Sequence, residues 1–223
     1  MPPILPPPPS PLPAPPPPPC TSPATSAASP RFVVDRINAR FNAGRPSNDL
    51  CAAGVLVHAF DGHLDASAPW RVNAAGWMEQ YGRILSASLI NARKAGTFNG
   101  DGGVVLSAAS GILCAYPYDG GAMNYANGCG PTSCAEPDHI WGCAFPPQML
   151  YRMLQIHESG PQWPYNEVVV DADRLVIEAV YGTSAAARDV HARLRAHFGA
   201  SAAQLPLLDF RGGARDPFVL VST

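Results

Sequence analysis

The chain has 223 residues, 47% of them hydrophobic, and a formal net charge of −2. That balance argues against a nucleic-acid partner, which calls for a basic surface, and no apolar run reaches the roughly 18 residues that span a bilayer. Fifteen of the 26 prolines lie within residues 1–30, a stretch with no charged side chain, so the composition separates a proline-rich segment, 1–30, from a single globular domain, 31–223.

Residues 2–19 read PPILPPPPSPLPAPPPPP. Proline fixes φ and lacks a backbone donor, so this run favours a solvated polyproline II rod of roughly 55 Å. It reads as a spacer, or as a ligand for PxxP-binding domains. The domain opens with Ser29-Pro30, an N-cap followed by proline at the first helical position. Val33, Ile37 and Phe41 recur four apart, which predicts a helix ended by Gly44. GVLVHAF, residues 54–60, predicts a buried strand. The spacing of Trp77, Tyr81, Leu85 and Ser88 predicts a helix over 75–91. GGVVLSAASGILCAYP predicts two strands with a turn near Ser110-Gly111. FPPQMLYRMLQIH predicts a proline-started helix that buries Leu150 and Leu154.

YNEVVVD, residues 165–171, reads as another buried strand, with LVIEAVY, residues 175–181, as its neighbour or, alternatively, a short helix. Thr183 or Ser184 caps a helix that buries Ala187, Val190, Leu194 and Phe198 and closes at Gly199. LPLLDF, residues 205–210, reads as a last strand. Helices alternate with short apolar strands, which predicts an α/β domain with a mixed sheet and flanking helices; α+β is the alternative.

Four of the six cysteines, Cys114, Cys129, Cys134 and Cys143, fall in one Gly-, Asn- and Pro-rich stretch. A long irregular loop is entropically costly, and disulfides among these four would hold it. Their connectivity is open, because four cysteines allow three pairings. Cys20 and Cys51 are left over, and Cys51 beside its apolar run reads as a buried thiol. The Cys-x4-Cys-x8-Cys spacing does not match the paired spacing of zinc motifs, so no metal or other cofactor is expected.

Three predicted strands end in carboxylates: Asp61, Asp171 and Asp209. Ligands bind beyond the carboxyl ends of strands in open α/β sheets. If these strands are parallel neighbours, their carboxylates converge and could divide acid and base work, with His58 as a further candidate. Glu167 and Asp171 share one strand face. The loop PYDGGAMNYANG offers Tyr118, Asp119, Asn124 and Tyr125, a set suited to sugar hydroxyls and sugar faces. Signatures such as G-x-S-x-G, H-E-x-x-H and the P-loop are absent, as is any N-x-[ST] sequon.

The proline rod with its SPLP, TSP and ASP punctuation, joined to a cysteine-containing domain, resembles the hydroxyproline-rich, pherophorin-like glycoproteins of green-algal cell walls. The resemblance covers residues 2–30 only. It implies an extracellular or cell-wall protein whose rod is hydroxylated and O-glycosylated. MPPILPPPP has neither the basic nor the apolar region of a signal peptide, so either the true amino terminus lies upstream or the protein stays in the cell. The leading expectation is a non-enzymatic protein: a spacer joined to a domain that binds a cell-wall or matrix glycan or protein. The alternatives are a hydrolase, carbohydrate-active or otherwise, built on Asp61, Asp171, Asp209 and His58, and a cytosolic scaffold with a PxxP-type ligand segment.

Overall fold

The computed structural model of the chain describes residues 29–44, 47–59, 84–93, 102–118, 145–159, 166–171, 174–199, 204–212 and 214–221. Helix α1 spans Pro30–Phe41. Strands β1 (Val55–Ala59), β2 (Ile84–Ile90), β3 (Gly103–Leu106) and β4 (Ile112–Tyr116) follow. After a 3-10 turn at Pro147–Met149 come α2 (Leu150–Ser159), β5 (Glu167–Asp171), β6 (Ile177–Tyr181), α3 (Ala185–Phe198), β7 (Leu207–Phe210) and β8 (Phe218–Leu220). The strands form one eight-stranded sheet in the order β4-β5-β2-β1-β3-β6-β7-β8. Among the described residues, only β6 and β7 run parallel as neighbours, joined by α3; the other pairings are antiparallel. The sheet is therefore mixed, with helices on both faces, and the α/β class holds.

The local chemistry explains the ends of the helices. The Ser29 hydroxyl accepts from the Phe32 amide at 3.3 Å, and proline occupies the first turn of α1. Ser184 caps α3 in the same way, accepting from the Ala187 amide at 3.1 Å, and Gly199 closes that helix. Helix α1 ends at Phe41, with Asn42 rather than Gly44 at its C-cap.

Strand alternation sorts the core into two layers. On one face, Val33, Val34, Ile37 and Phe41 of α1 pack on Val55, Val57, Ile90, Val105, Ala179, Tyr181, Leu208 and Phe218. On the other, Leu150, Met153 and Leu154 of α2 and Ala187, Val190 and Leu194 of α3 cover Leu56, Leu85, Leu89, Val104, Val168 and Val180. The α1 face continues past the helix as a smaller cluster of Ile84, Cys114, Tyr116 and Val169.

Three expectations are corrected. Residues 84–90 form a strand, not the end of a helix over 75–91. Ile84 and Ile90 face the α1 layer while Leu85, Ala87 and Leu89 face the other, and a run buried on both faces carries no clear period. Trp77 and Tyr81 lie outside the described residues. Strand β6 is not the neighbour of β5: it pairs with β3 and β7, three positions further across the sheet than β2. Strand β7 is not the last, because β8 returns antiparallel beside it.

Cys51 and Cys114 are both disulfide-bonded. Cys51 is thus not the leftover buried thiol its sequence context suggested; it lies partly exposed in the turn before β1. Cys114 is fully buried on the α1 face of β4. Cys20, Cys129, Cys134 and Cys143 lie outside the described residues.

Candidate functional site

The directions of the strands decide the fate of the carboxylate triad. Strands β1, β5 and β7 do run the same way, since each is separated from the next by an even number of antiparallel steps or by the parallel β6–β7 pair. They are not neighbours. Two strand spacings, about 10 Å, separate β5 from β1, and five spacings, about 24 Å, separate β5 from β7. Asp171 shares the α1 face with Ile84, its cross-strand partner. Asp209 alternates with Leu208 and Phe210, which point to that same face, so its side chain lies on the opposite one. Its carboxylate accepts a hydrogen bond from Arg211 at 2.9 Å. Asp61 lies outside the described residues.

His58 alternates with Val57, so it shares the α2/α3 face with Leu56, away from Asp171. Its Nδ1 lies 2.5 Å from the Ser86 carbonyl oxygen, which ties the ring to the next strand. The condition set for convergence of Asp61, Asp171 and Asp209, parallel neighbouring strands, is therefore not met, and Asp171 stands apart from both Asp209 and His58. Strand-end position was legible in the sequence, but strand order was not.

What the sheet brings together instead is a polar group at its β4–β5–β2 end. Leu113 is an extra residue in β4: Ile112 pairs with Val170 but Cys114 with Val169. This β-bulge sets the register that places Tyr116 directly opposite Glu167 on the α1 face. Ser88 of β2 lies on the same face, and its hydroxyl donates to the Asn166 carbonyl at 2.9 Å. Glu167 is 2% exposed and Tyr116 1% exposed. Tyr118 packs edge-on against Tyr116, with ring centroids 6.4 Å apart. Burial, then the negative charges of Glu167 and Tyr118, push the Tyr116 phenol up to about 12. Burial raises Tyr118 as well. Both phenols stay protonated at neutral pH, so they can donate and accept hydrogen bonds but not exchange protons as a general base would.

Tyr118, expected as an open ligand contact, is instead buried. Its expected partners Asp119, Asn124 and Tyr125 lie outside the described residues. Sequence reasoning had paired Glu167 with Asp171 but had not singled out Tyr116. The alternation in ILCAY and NEVVVD carried that information once the two strands were known to be adjacent.

A second buried polar group was missed altogether. Val105 pairs with Ala179 and Leu106 with Ile177, so Glu178 is the extra residue of a bulge in β6. The bulge turns its carboxylate to the α1 face, where Arg36 donates to it at 2.5 Å and Arg40 donates to the other oxygen. Glu178 and Arg40 are buried, and Arg36 is partly exposed. Two guanidiniums on one carboxylate compensate its desolvation, which makes this a joint between helix and sheet. The signal was present in the sequence: Arg36 and Arg40 are four apart on the side of α1 that carries Ile37, and Glu178 interrupts an apolar strand.

Among the described residues, no group of three His, Cys, Asp or Glu side chains could hold a metal ion, and no helix is long and apolar enough to cross a membrane. No protein-family model matches the chain, and no curated protein matches it.

Proposed function

We propose that the protein is a non-enzymatic extracellular or cell-wall-associated protein, in which the proline-rich rod spaces a rigid domain that binds a matrix glycan or protein. The observation that carries this reading is the disulfide bonding of Cys51 and Cys114 in a domain that follows a polyproline segment. Disulfides persist in oxidising compartments and are rare in the cytosol. The dispersal of Asp171, Asp209 and His58 over two faces of the sheet weighs against the hydrolase alternative. The Tyr116, Tyr118 and Glu167 group is buried and its phenols stay protonated at neutral pH, which suits a structural polar cluster better than an acid–base pair.

Mass spectrometry of the native protein, isolated under alkylating conditions, tests the reading. It reports disulfide linkage, hydroxyproline and O-glycans together. Disulfides with modified prolines are the expected result. Six alkylated thiols and an unmodified rod would overturn it and favour the cytosolic scaffold.

A further inference from the structure

Among the described residues β8 is the outer strand of the sheet, and such an edge is a template for pairing with another chain. Its hydrogen bonds to β7 run through the pairs Arg211–Pro217, Asp209–Val219 and Leu207–Val221: the Arg211 amide donates to the Pro217 carbonyl, and the Val221 amide to the Leu207 carbonyl. The backbone groups of Phe218 and Leu220 therefore point the other way, out of the sheet. At Phe218 both groups are met by one side chain from α1. Asn38 donates to the Phe218 carbonyl at 2.8 Å, and the Phe218 amide donates to Asn38 Oδ1 at 3.0 Å. The amide of Asn38 thus stands in for one residue of a missing ninth strand. Two residues on, Leu220 carries an exposed side chain.

We propose that α1 is an autoinhibitory helix: Asn38 closes the β8 edge, and when that contact is lost β8 pairs with β8 of a second copy of this chain. Phe218–Leu220 carries no charge, so two copies of the strand meet no like-charge repulsion. Antiparallel pairing about a two-fold axis at position 219 sets residue 218 of each copy opposite residue 220 of the other. Both outward pairs of each strand are then satisfied, and the contact closes on itself as a dimer. Helix α1 is the first element after the proline-rich segment; its last carbonyls, of Arg40 and Phe41, accept from the Gly54 and Ala92 amides, and the rest of it is held through its apolar layer, Asn38 and the Arg36–Arg40–Glu178 joint. A pull on the preceding segment therefore acts first on the helix that guards the edge.

Sedimentation velocity on the full chain tests the proposal, with circular dichroism to verify folding. The native chain is expected to be monomeric. Asn38→Ala is expected to self-associate at least about tenfold more strongly. Should Asn38→Ala fail to fold, Asn38→Ser is read in its place. Adding Leu220→Pro removes an outward N–H that β7 does not use, and is expected to restore the monomer. Val190→Ala, which leaves a cavity on the other face, controls for loss of stability alone and is expected to stay monomeric. A monomeric, folded Asn38 variant would overturn the proposal. So would a native dimer, a variant dimer that survives Leu220→Pro, or equal association of Val190→Ala.

Discussion

Gly103 shows how little room single positions leave in this sheet. A Cβ added there would lie 2.2 Å from both the His58 carbonyl oxygen and the Tyr181 hydroxyl. The first is backbone of the adjacent strand, and the second ends a side chain that is fully buried beneath α1. Neither can yield cheaply, so Gly103→Ala should cost at least the 1–3 kcal/mol typical of overpacking; a denaturant midpoint equal to that of the native chain would refute this. The buried phenols make a second residue-scale prediction. The unfolded chain loses its tyrosine protons near pH 10, whereas folded Tyr116 holds its proton to about 12. Between those values the folded state binds more protons, so stability is fully present below pH 10 and falls as pH rises towards 12. Burial raises Tyr118 and Tyr181 too, which adds to the same slope. Thermal melts across this window should show a shallower decline for Tyr116→Phe than for the native chain, and identical declines would remove Tyr116 from the account.

At the scale of elements, asparagine side chains extend what backbone pairing begins. Asn166, just before β5, is 2% exposed. Its amide accepts from the Leu89 N–H at 2.8 Å and donates to the Leu89 carbonyl at 2.8 Å. One side chain therefore continues the β2–β5 ladder beyond the register that ends at Ala87–Val168. Truncation leaves two buried backbone groups without partners, each costing about 1–3 kcal/mol. Asn166→Ala should accordingly lose about 2 kcal/mol or more by urea denaturation, and amide hydrogen exchange at Leu89 should accelerate. A change confined to a few tenths of a kcal/mol would mean that water replaces the side chain there.

For the whole molecule, the first described turn begins at Ser29, whose hydroxyl caps α1. Among the described residues, two packed layers of core lie between Val33 and Phe218. Deleting residues 1–28 keeps the cap and the core, so the melting temperature should move by no more than a few degrees, which for a domain of this size is about 1 kcal/mol. A larger fall would show that the proline-rich segment packs on the domain rather than spacing it.

Local features were written in the sequence because their causes are local. Ser29-Pro30 and Ser184 capped the helices they were expected to cap, and Val33, Ile37 and Phe41, like Ala187, Val190 and Leu194, faced the core at helical spacing. The strands at VLVHA, EVVVD and IEAVY were legible from short β-branched runs. Residues 84–90 were not, since burial on both faces erases the alternation that tells a strand from a helix. Strand order was decided only by tertiary packing. It set Asp171 and Asp209 five strands apart, turned His58 to the face opposite Asp171, and placed Tyr116 across from Glu167. The two bulges that aim Glu178 at α1 and fix the register of β4 depend on which strand lies alongside, and so does the closure of β8 by Asn38. Periodicity along a chain reports which face a residue occupies, but it carries no record of the neighbour across that face.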